Sequence, residues 1–317
     1  MLFSSKDLVT WKYDSLFTDR LRDGGWNYTT KNRVDCPDTY TLPDGRQVLL
    51  WLDHGGTRWN IGAVDNATMQ FTAEHTGLEG HGTGVTQSVW DPQGRRVQIG
   101  WIGGTPFSAA QTLPHEIRLS ASGDSFEWLP LPEMASLHEE YRTFSGSLQP
   151  PVAPRHSSTH ALVNNSDTFG LHLHVQATFD FAVSACDNVS LGVTKSSAGL
   201  YIDVHCGDVM ANLGVLCSLH PADDTGPSRL TDLKAETTTV PLPRPSAGPS
   251  FVVDVFVDSF VVEIFSGGAH VAHTVLNEIG GDNNQGMGVE VGVEGGQVEV
   301  AVDMWSMAPS ISPPCDP

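Results

Sequence analysis

A chain of 317 residues, 39% of them hydrophobic, is long enough for two compact domains with a sizeable buried core. Its 37 acidic and 17 basic residues give a formal charge of −20. That argues against a nucleic-acid partner, since such affinity comes mainly from Lys and Arg neutralising phosphates; neutral or weakly charged partners are expected. The most apolar stretch, FVVDVFVDSFVVEIF at 251–265, is interrupted by Asp254, Asp258 and Glu263, so no bilayer-crossing segment and no membrane partner are read. Residues 1–20 lack the basic start, apolar centre and small-residue site of a secretory leader, leaving a cytosolic protein or a start lying upstream as open readings. Five cysteines (Cys36, Cys186, Cys206, Cys217 and Cys315) without a CxxC imply neither a zinc ribbon nor a dense disulfide framework. A Cys206–Cys217 bridge across a hairpin is open, with two buried thiols the favoured alternative.

In chain order, the segment NRVDCPDTYTLPDGRQVLLW at 32–51 comes early, with an acid, a thiol, a proline and a second acid just before a strand. Asp and Pro are ordinary turn residues, so by itself this tetrapeptide reads as a redirection of the chain. The stretches YTLPDGRQVLLWL, RWNIGAVD, GVTQSVWDPQGRRVQIGWIG and EIRLSASGDSFEWLPL then alternate strand and turn, with PDG at 43–45 and PQG at 92–94 as hairpin signals. Evenly spaced strands with tryptophans near their ends suit propeller blades. GHGTG at 80–84 lacks the Lys and helix start of a phosphate loop and reads as a turn, and no GxSxG elbow is present.

The character changes at LPEMASLHEEYRTF, 131–144, the one credible helical turn and a candidate linker, followed by Pro150, Pro151 and Pro154. Longer alternating strands come next: LHLHVQATFDF, LGVTKS, GLYIDVHC and NLGVLCSLH. After a Pro-rich connection at 241–249, FVVDVFVD, FVVEIF, HVAHTVL, MGVEVGV and QVEVAVDMW form a meander separated by short turns. One polar face and regular turns predict antiparallel sheets packed as a sandwich. His172 and His174 make an H-x-H pair, but no third zinc ligand can be nominated, and polar-face histidines are the favoured reading.

SKDLVTWKYD, VDCPDTY, the run from RWNIGAVD through FTAEHTGLEGHGTGVTQSVWDPQGRRVQIGWI, QTLPHEIRLS and FVDSFVVEIFSGG resemble, in this order, glycoside hydrolase family 32, the invertase, inulinase and levanase group. The resemblance covers most of the chain. It implies a five-bladed β-propeller carrying the active site, then a β-sandwich, and retaining cleavage of β-fructosidic bonds in sucrose or fructans. It places Asp35 in the general acid/base position, with Cys36 and Pro37 fixing its direction. Asp38 and Trp101 become substrate-binding candidates, the latter from its GW context. A retaining glycosidase needs a second carboxylate about 5 Å away as nucleophile. Asp35 and Asp38 are not expected to be that pair, because an odd spacing on extended chain sends side chains to opposite faces and Pro37 interrupts the ladder.

Several departures qualify these expectations. The family's NDPNG-like nucleophile motif and its RDP motif are both missing from the 317 residues, so no nucleophile is assigned in this chain. Asp35 stands where the family usually has Glu, and His115 where it usually has Arg after Leu-Pro. TFSGSLQP at 143–150 resembles an FSGS sequence of an earlier blade and is read as coincidence at the linker. The expectation is an all-β chain: a partial propeller of about the last two to three blades at 1–132, a linker at 133–144, and a β-sandwich at 145–310. Its expected function is that of a β-fructofuranosidase-type glycoside hydrolase, inactive as the isolated 317 residues; a non-catalytic carbohydrate-binding or structural protein is the alternative. No cofactor and no metal are expected, and the partners expected are sucrose or fructan and self-association through open propeller edges. The resemblance implies an extracellular or vacuolar location.

Overall fold

The computed structural model describes residues 2–15, 35–53, 56–79, 84–103, 109–148, 158–163, 172–180, 188–195, 198–206, 211–215, 218–221, 238–241, 250–258, 261–274, 287–294 and 298–308. Among them, twenty-four strands and one 3-10 turn are found, so the protein is nearly all β. The chain divides into two compact units, one of Met1–Trp101 with Gln111–Glu127, the other of Ile102–Ala110 with Trp128–Pro317. No helix among the described residues is long and apolar enough to cross a membrane.

In the first unit, β1 (Leu2–Ser4) and β2 (Lys12–Ser15) pair antiparallel. Asp7 pins their connection: its Oδ1 accepts from the Val9 and Thr10 backbone amides at 2.9 and 2.7 Å, which pull its carboxyl down to about 2. Next, β3 (Asp35–Thr41), β4 (Gln47–Asp53), β5 (Gly56–Asp65) and β6 (Gln70–Leu78) form a four-stranded antiparallel meander. The apolar run VLLW in β4 is buried on both faces, as a central strand covered on two sides requires. Leu49 and Trp51 pack with Phe71 on one side, and β4 meets the next strand, β7, as well. A second sheet comprises β7 (Gly84–Trp90), β8 (Arg96–Gly103), β9 (Ala109–Gln111), β10 (His115–Leu119) and β11 (Phe126–Pro130), in the order β11-β10-β8-β7 with β9 on β8.

Both hairpin signals appear as turns with one design. The Leu42 amide donates to Arg46 O and the Gly45 amide to Leu42 O, at 2.8 and 2.9 Å; the Asp91 amide donates to Arg95 O and the Gly94 amide to Asp91 O, at 2.9 and 3.0 Å. Gly45 and Gly94 have φ of 92° and 80°, a conformation that a side chain would strain.

The second unit holds Ile102–Ala110 and the chain from Trp128 on, where the 3-10 turn at Pro132–Leu137 is followed by β12 (His138–Leu148), β13 (Ser158–Val163), β14 (His172–Asp180), β15 (Asn188–Lys195), β16 (Ala198–Cys206), β17 (Ala211–Val215), β18 (Ser218–Pro221) and β19 (Thr238–Pro241). It continues with β20 (Ser250–Asp258), β21 (Val261–Ser266), β22 (Ala269–Thr274), β23 (Met287–Glu294) and β24 (Val298–Met307). One sheet runs β12-β24-β14-β20-β21-β22; the other runs β13-β23-β15-β16-β17-β19, with β18 on β16. In the first of these, β21 is buried throughout, while β14 and its neighbours divide their side chains between two faces. Leu173, Val175, Ala177 and Phe179 are fully buried beside Val253, Val255, Val302 and Met304, while His174, Gln176, Asp254, Asp303 and Trp305 share the other face.

The helical reading of 131–144 holds only for its first half, as a 3-10 turn. His138 already opens β12, and Tyr141–Phe144, read as linker, pair with Val302–Trp305 of β24. The alternating Tyr141, Thr143 and Ser145 carry a strand period that the preceding Pro-Glu-Met masked. Cys217 lies outside the described residues.

His172 and His174 are bound to carboxylates within the sheet: His172 Nδ1 lies 2.8 Å from Asp258 Oδ1, and His174 Nε2 lies 3.1 Å from Asp254 Oδ1. The hydrogen bond to Asp258 holds the His172 imidazolium above its ordinary 6.5. Its contribution to stability is therefore complete below pH 6.5 and is lost as pH rises through the elevated midpoint. An NMR titration of His172 is expected to show a midpoint above 6.5 that falls in Asp258→Asn, with the variant's stability deficit disappearing at alkaline pH.

Candidate active site

Extended chain does not carry β3 straight through its first residues. Asp35 pairs with Leu52 and Asp38 with Leu50, so a bulge sits between them, and Cys36 lies at φ 46°. The odd spacing in sequence thereby becomes an even spacing in backbone register, opposite Leu52 and Leu50. Asp35 opens the strand by its backbone, and its side chain lies outside the described residues. Cys36 is a free, exposed cysteine, and Pro37 is exposed beside it.

β7 has a matching irregularity. Its register against β8 shifts between Gly84 and Gln87, and Val85 lies at φ 39°, where a β-branched side chain is strained. The Gln87 side-chain amide donates to Cys36 O at 3.4 Å, joining the two irregular strand segments. Trp101 pairs with Gly84, and its ring would lie 3.1 Å from a Cβ built on that glycine; the indole is 44% exposed. One end of the first unit thus brings together Asp35, Cys36, Gln87 and Trp101.

Asp38 is held more tightly than a sugar-contacting acid in open solvent. Its Oδ2 accepts from the Ser88 amide at 2.9 Å, from the Ser88 hydroxyl, and from Arg96 Nη2 at 3.3 Å. Arg96 also donates through Nε to Ser88 Oγ at 2.8 Å and through Nη2 to Ser88 O at 2.9 Å. Its guanidinium lies over the Tyr40 ring, 4.0 Å from the centroid, and 5.4 Å from that of Trp90. Burial pushes the Tyr40 phenol above its ordinary value, with the Arg96 charge opposing.

A second polar cluster in this unit is fully buried. Glu79 accepts from Gln98 Nε2 at 2.7 Å, and its Oε1 lies 3.5 Å from His115 Nε2, while His115 Nδ1 lies 2.9 Å from Leu113 O. His115 therefore serves as an interior polar residue. Sequence reading missed Glu79, Gln87, Ser88 and Arg96. The available signal was the alternation Arg96, Gln98, Gly100 on β8, which places two polar side chains on a face that is buried.

No family model matches the chain. It is 25% identical over 299 residues to a sucrose-6-phosphate hydrolase of Vibrio alginolyticus, across 85% of this chain and 52% of that protein. It resembles in fold the fructan 1-exohydrolase IIa of Cichorium intybus, solved as a variant in complex with 1-kestose, with a TM-score of 0.67 at 15% identity over 96% of this chain and 66% of that one. It also resembles a glycoside hydrolase family 32 structure from Bifidobacterium adolescentis, with a TM-score of 0.55 at 18% identity over 86% of this chain and 41% of that one. The fold is thus of the family 32 kind, and the relatives are glycoside hydrolases. The chain spans about half the length of the curated relative it matches.

Removing one member of a buried charge pair leaves the other uncompensated. Asp38 and Arg96 side chains are 12% and 8% exposed, so Asp38→Ala is expected to lose about 3–5 kcal/mol in denaturant unfolding, with Ser88→Ala costing about 1 kcal/mol.

Proposed function

We propose that this chain carries the acid/base side of a β-fructofuranosidase-type active site, acting on sucrose or fructan by the retaining two-carboxylate mechanism. The observation that carries the reading is the joined pair of irregular segments at Asp35–Asp38 and Gly84–Gln87, each with a non-glycine residue at positive φ. Such bulges re-aim a side chain at the rim of a site, and backbone strain persists only where surrounding structure enforces it. In this reading Asp35 protonates the departing glycosidic oxygen and then, as carboxylate, takes the proton of the attacking water. Asp38 serves as the positioning carboxylate of that wall, Trp101 as an apolar platform for the sugar ring, and Cys36 and Pro37 as the backbone that turns Asp35 inward.

The architecture proposed with it is a partial propeller of two to three blades at 1–132 followed by a β-sandwich at 145–310. The 317 residues contain no NDPNG-like sequence, and the nucleophile is supplied by polypeptide outside them. The isolated chain consequently turns over no sucrose, and its open blade edges favour self-association.

Glucose release from sucrose and fructose release from 1-kestose test this reading. Expected are no turnover by the chain alone, turnover when it is co-expressed with a segment of a relative bearing the NDPNG and RDP motifs, and loss of about 10²–10⁴-fold in Asp35→Asn. Turnover that Asp35→Asn leaves unchanged would remove Asp35 from its role. Binding of 1-kestose without turnover by the complemented protein would make it a carbohydrate-binding protein instead.

A further inference from the structure

One histidine–carboxylate pair is spaced unlike the others. In the second unit His172 lies 2.8 Å from Asp258, His270 2.9 Å from Glu263 and His174 3.1 Å from Asp254, the separations of ordinary hydrogen bonds. In the first unit His115 Nε2 and Glu79 Oε1 stand 3.5 Å apart, although both side chains are fully buried. A shared proton draws imidazole and carboxylate closer than this, so a larger cation suits the gap.

The neighbouring atoms fix the chemistry of the pair. Leu113 O can only accept, so His115 Nδ1, 2.9 Å from it, carries the hydrogen, and the neutral ring turns its Nε2 lone pair toward Glu79. A lone pair and a carboxylate oxygen repel unless a cation lies between them. One ring nitrogen tied to a backbone carbonyl, with the other left to bind, is also how metal-bound histidines are held. Glu79 Oε2 accepts from Gln98 Nε2 at 2.7 Å, which leaves Oε1 for the ring. Gln98 is itself fully buried, and its Oε1 has no hydrogen-bond partner among the described residues. The amide that holds Glu79 thus offers a third donor atom.

The three side chains stand on regular backbone. His115 of β10 is directly opposite Gln98 of β8, so both leave the same face, and the Glu79 amide, just past β6, donates to Thr57 O of β5 at 2.8 Å. Two ligand atoms bound to one zinc ion at about 2.1 Å and at the tetrahedral angle lie about 3.4 Å apart, close to the spacing of His115 and Glu79. Imidazole favours zinc over calcium or magnesium, which prefer all-oxygen sites. Burial does not bar the ion, because closed metal sites fill as the chain folds.

We propose that Glu79, His115 and Gln98 form a structural zinc site tying the end of β6 to β8 and β10. Glu79 Oε1 and His115 Nε2 bind the ion directly, the Gln98 amide oxygen is the third ligand, and the fourth tetrahedral position goes to a donor outside this set. No residue proposed for sugar chemistry belongs to the site, which stands apart from the catalytic reading. Its ligands come from separate strands, so no short motif announces them.

Refolding the 317-residue chain from guanidinium chloride with ZnCl2 or with a chelator, followed by gel filtration, tests it. Expected are about one zinc ion retained per chain, a higher Tm than after refolding with chelator, and an X-ray absorption spectrum of nitrogen and oxygen neighbours at roughly 2.0–2.2 Å without sulfur. Glu79→Gln and His115→Gln are each expected to retain less than about a tenth of that zinc, and His172→Gln to retain all of it. Should the two buried substitutions prevent folding, nitrogen NMR of the imidazoles in the unsubstituted chain decides: zinc is expected to shift His115 Nε2 while Nδ1 keeps its hydrogen. No retained zinc, sulfur neighbours, retention indifferent to both substitutions, or a His115 ring unmoved by zinc would each overturn the site.

Discussion

A buried carboxylate and a buried guanidinium govern the geometry of the first unit. Asp38 on β3 and Arg96 on β8, with Ser88 on β7 bonded to both, are almost removed from water. Charges so placed persist only when paired and hydrogen-bonded, so the three strands must stay in one register. A one-residue slip of β3 would separate the pair and turn the buried Tyr40 outward. The bulge at Asp35 and the Tyr40 ring toward the other end of β3 both inherit their positions from this central tie.

The two ends of that strand then differ in a way that its sequence explains. Toward Asp35, Cys-Pro interrupts regular pairing, because Pro37 has no amide to donate and Cys36 takes a left-handed conformation. Toward Tyr40, uninterrupted alternation continues into a tight Pro-Asp-Gly turn. Irregularity gathers where a reacting group is proposed, and regularity where ring faces are stacked. Val85 on β7 repeats the irregular pattern without a proline, showing that the strain belongs to the joined segments rather than to one residue type.

Much of this was legible in the amino-acid order. Strands with clean alternation, such as HLHVQATFD and FVVDVFVD, and turns with glycine at the required position stood out because local chemistry and final structure agree. The bulge did not, since register is a relation between two strands, and the spacing of Asp35 and Asp38 shows an odd number until β4 is laid beside it. Nor did the partners of Asp38: Ser88 and Arg96 are fifty and fifty-eight residues away in the chain. His115 looked like a substitution in a functional motif, and its burial beside Glu79 was hidden because both partners reach it through folding alone. Strand β12 was obscured by the prolyl turn directly before it.

In the six-stranded sheet of the second unit, β24 lies between β12 and β14 and pairs with both along most of its length. The last of the described strands therefore occupies an inner position, between two strands synthesised more than a hundred residues earlier. Until it emerges from the ribosome, β12 and β14 each present a bare edge, and the buried row Leu173, Val175, Ala177 and Phe179 of β14 has no neighbour on that side. This unit cannot assemble progressively as it is made. It must wait, exposed to chaperones and to like chains, and then close in a single long-range step.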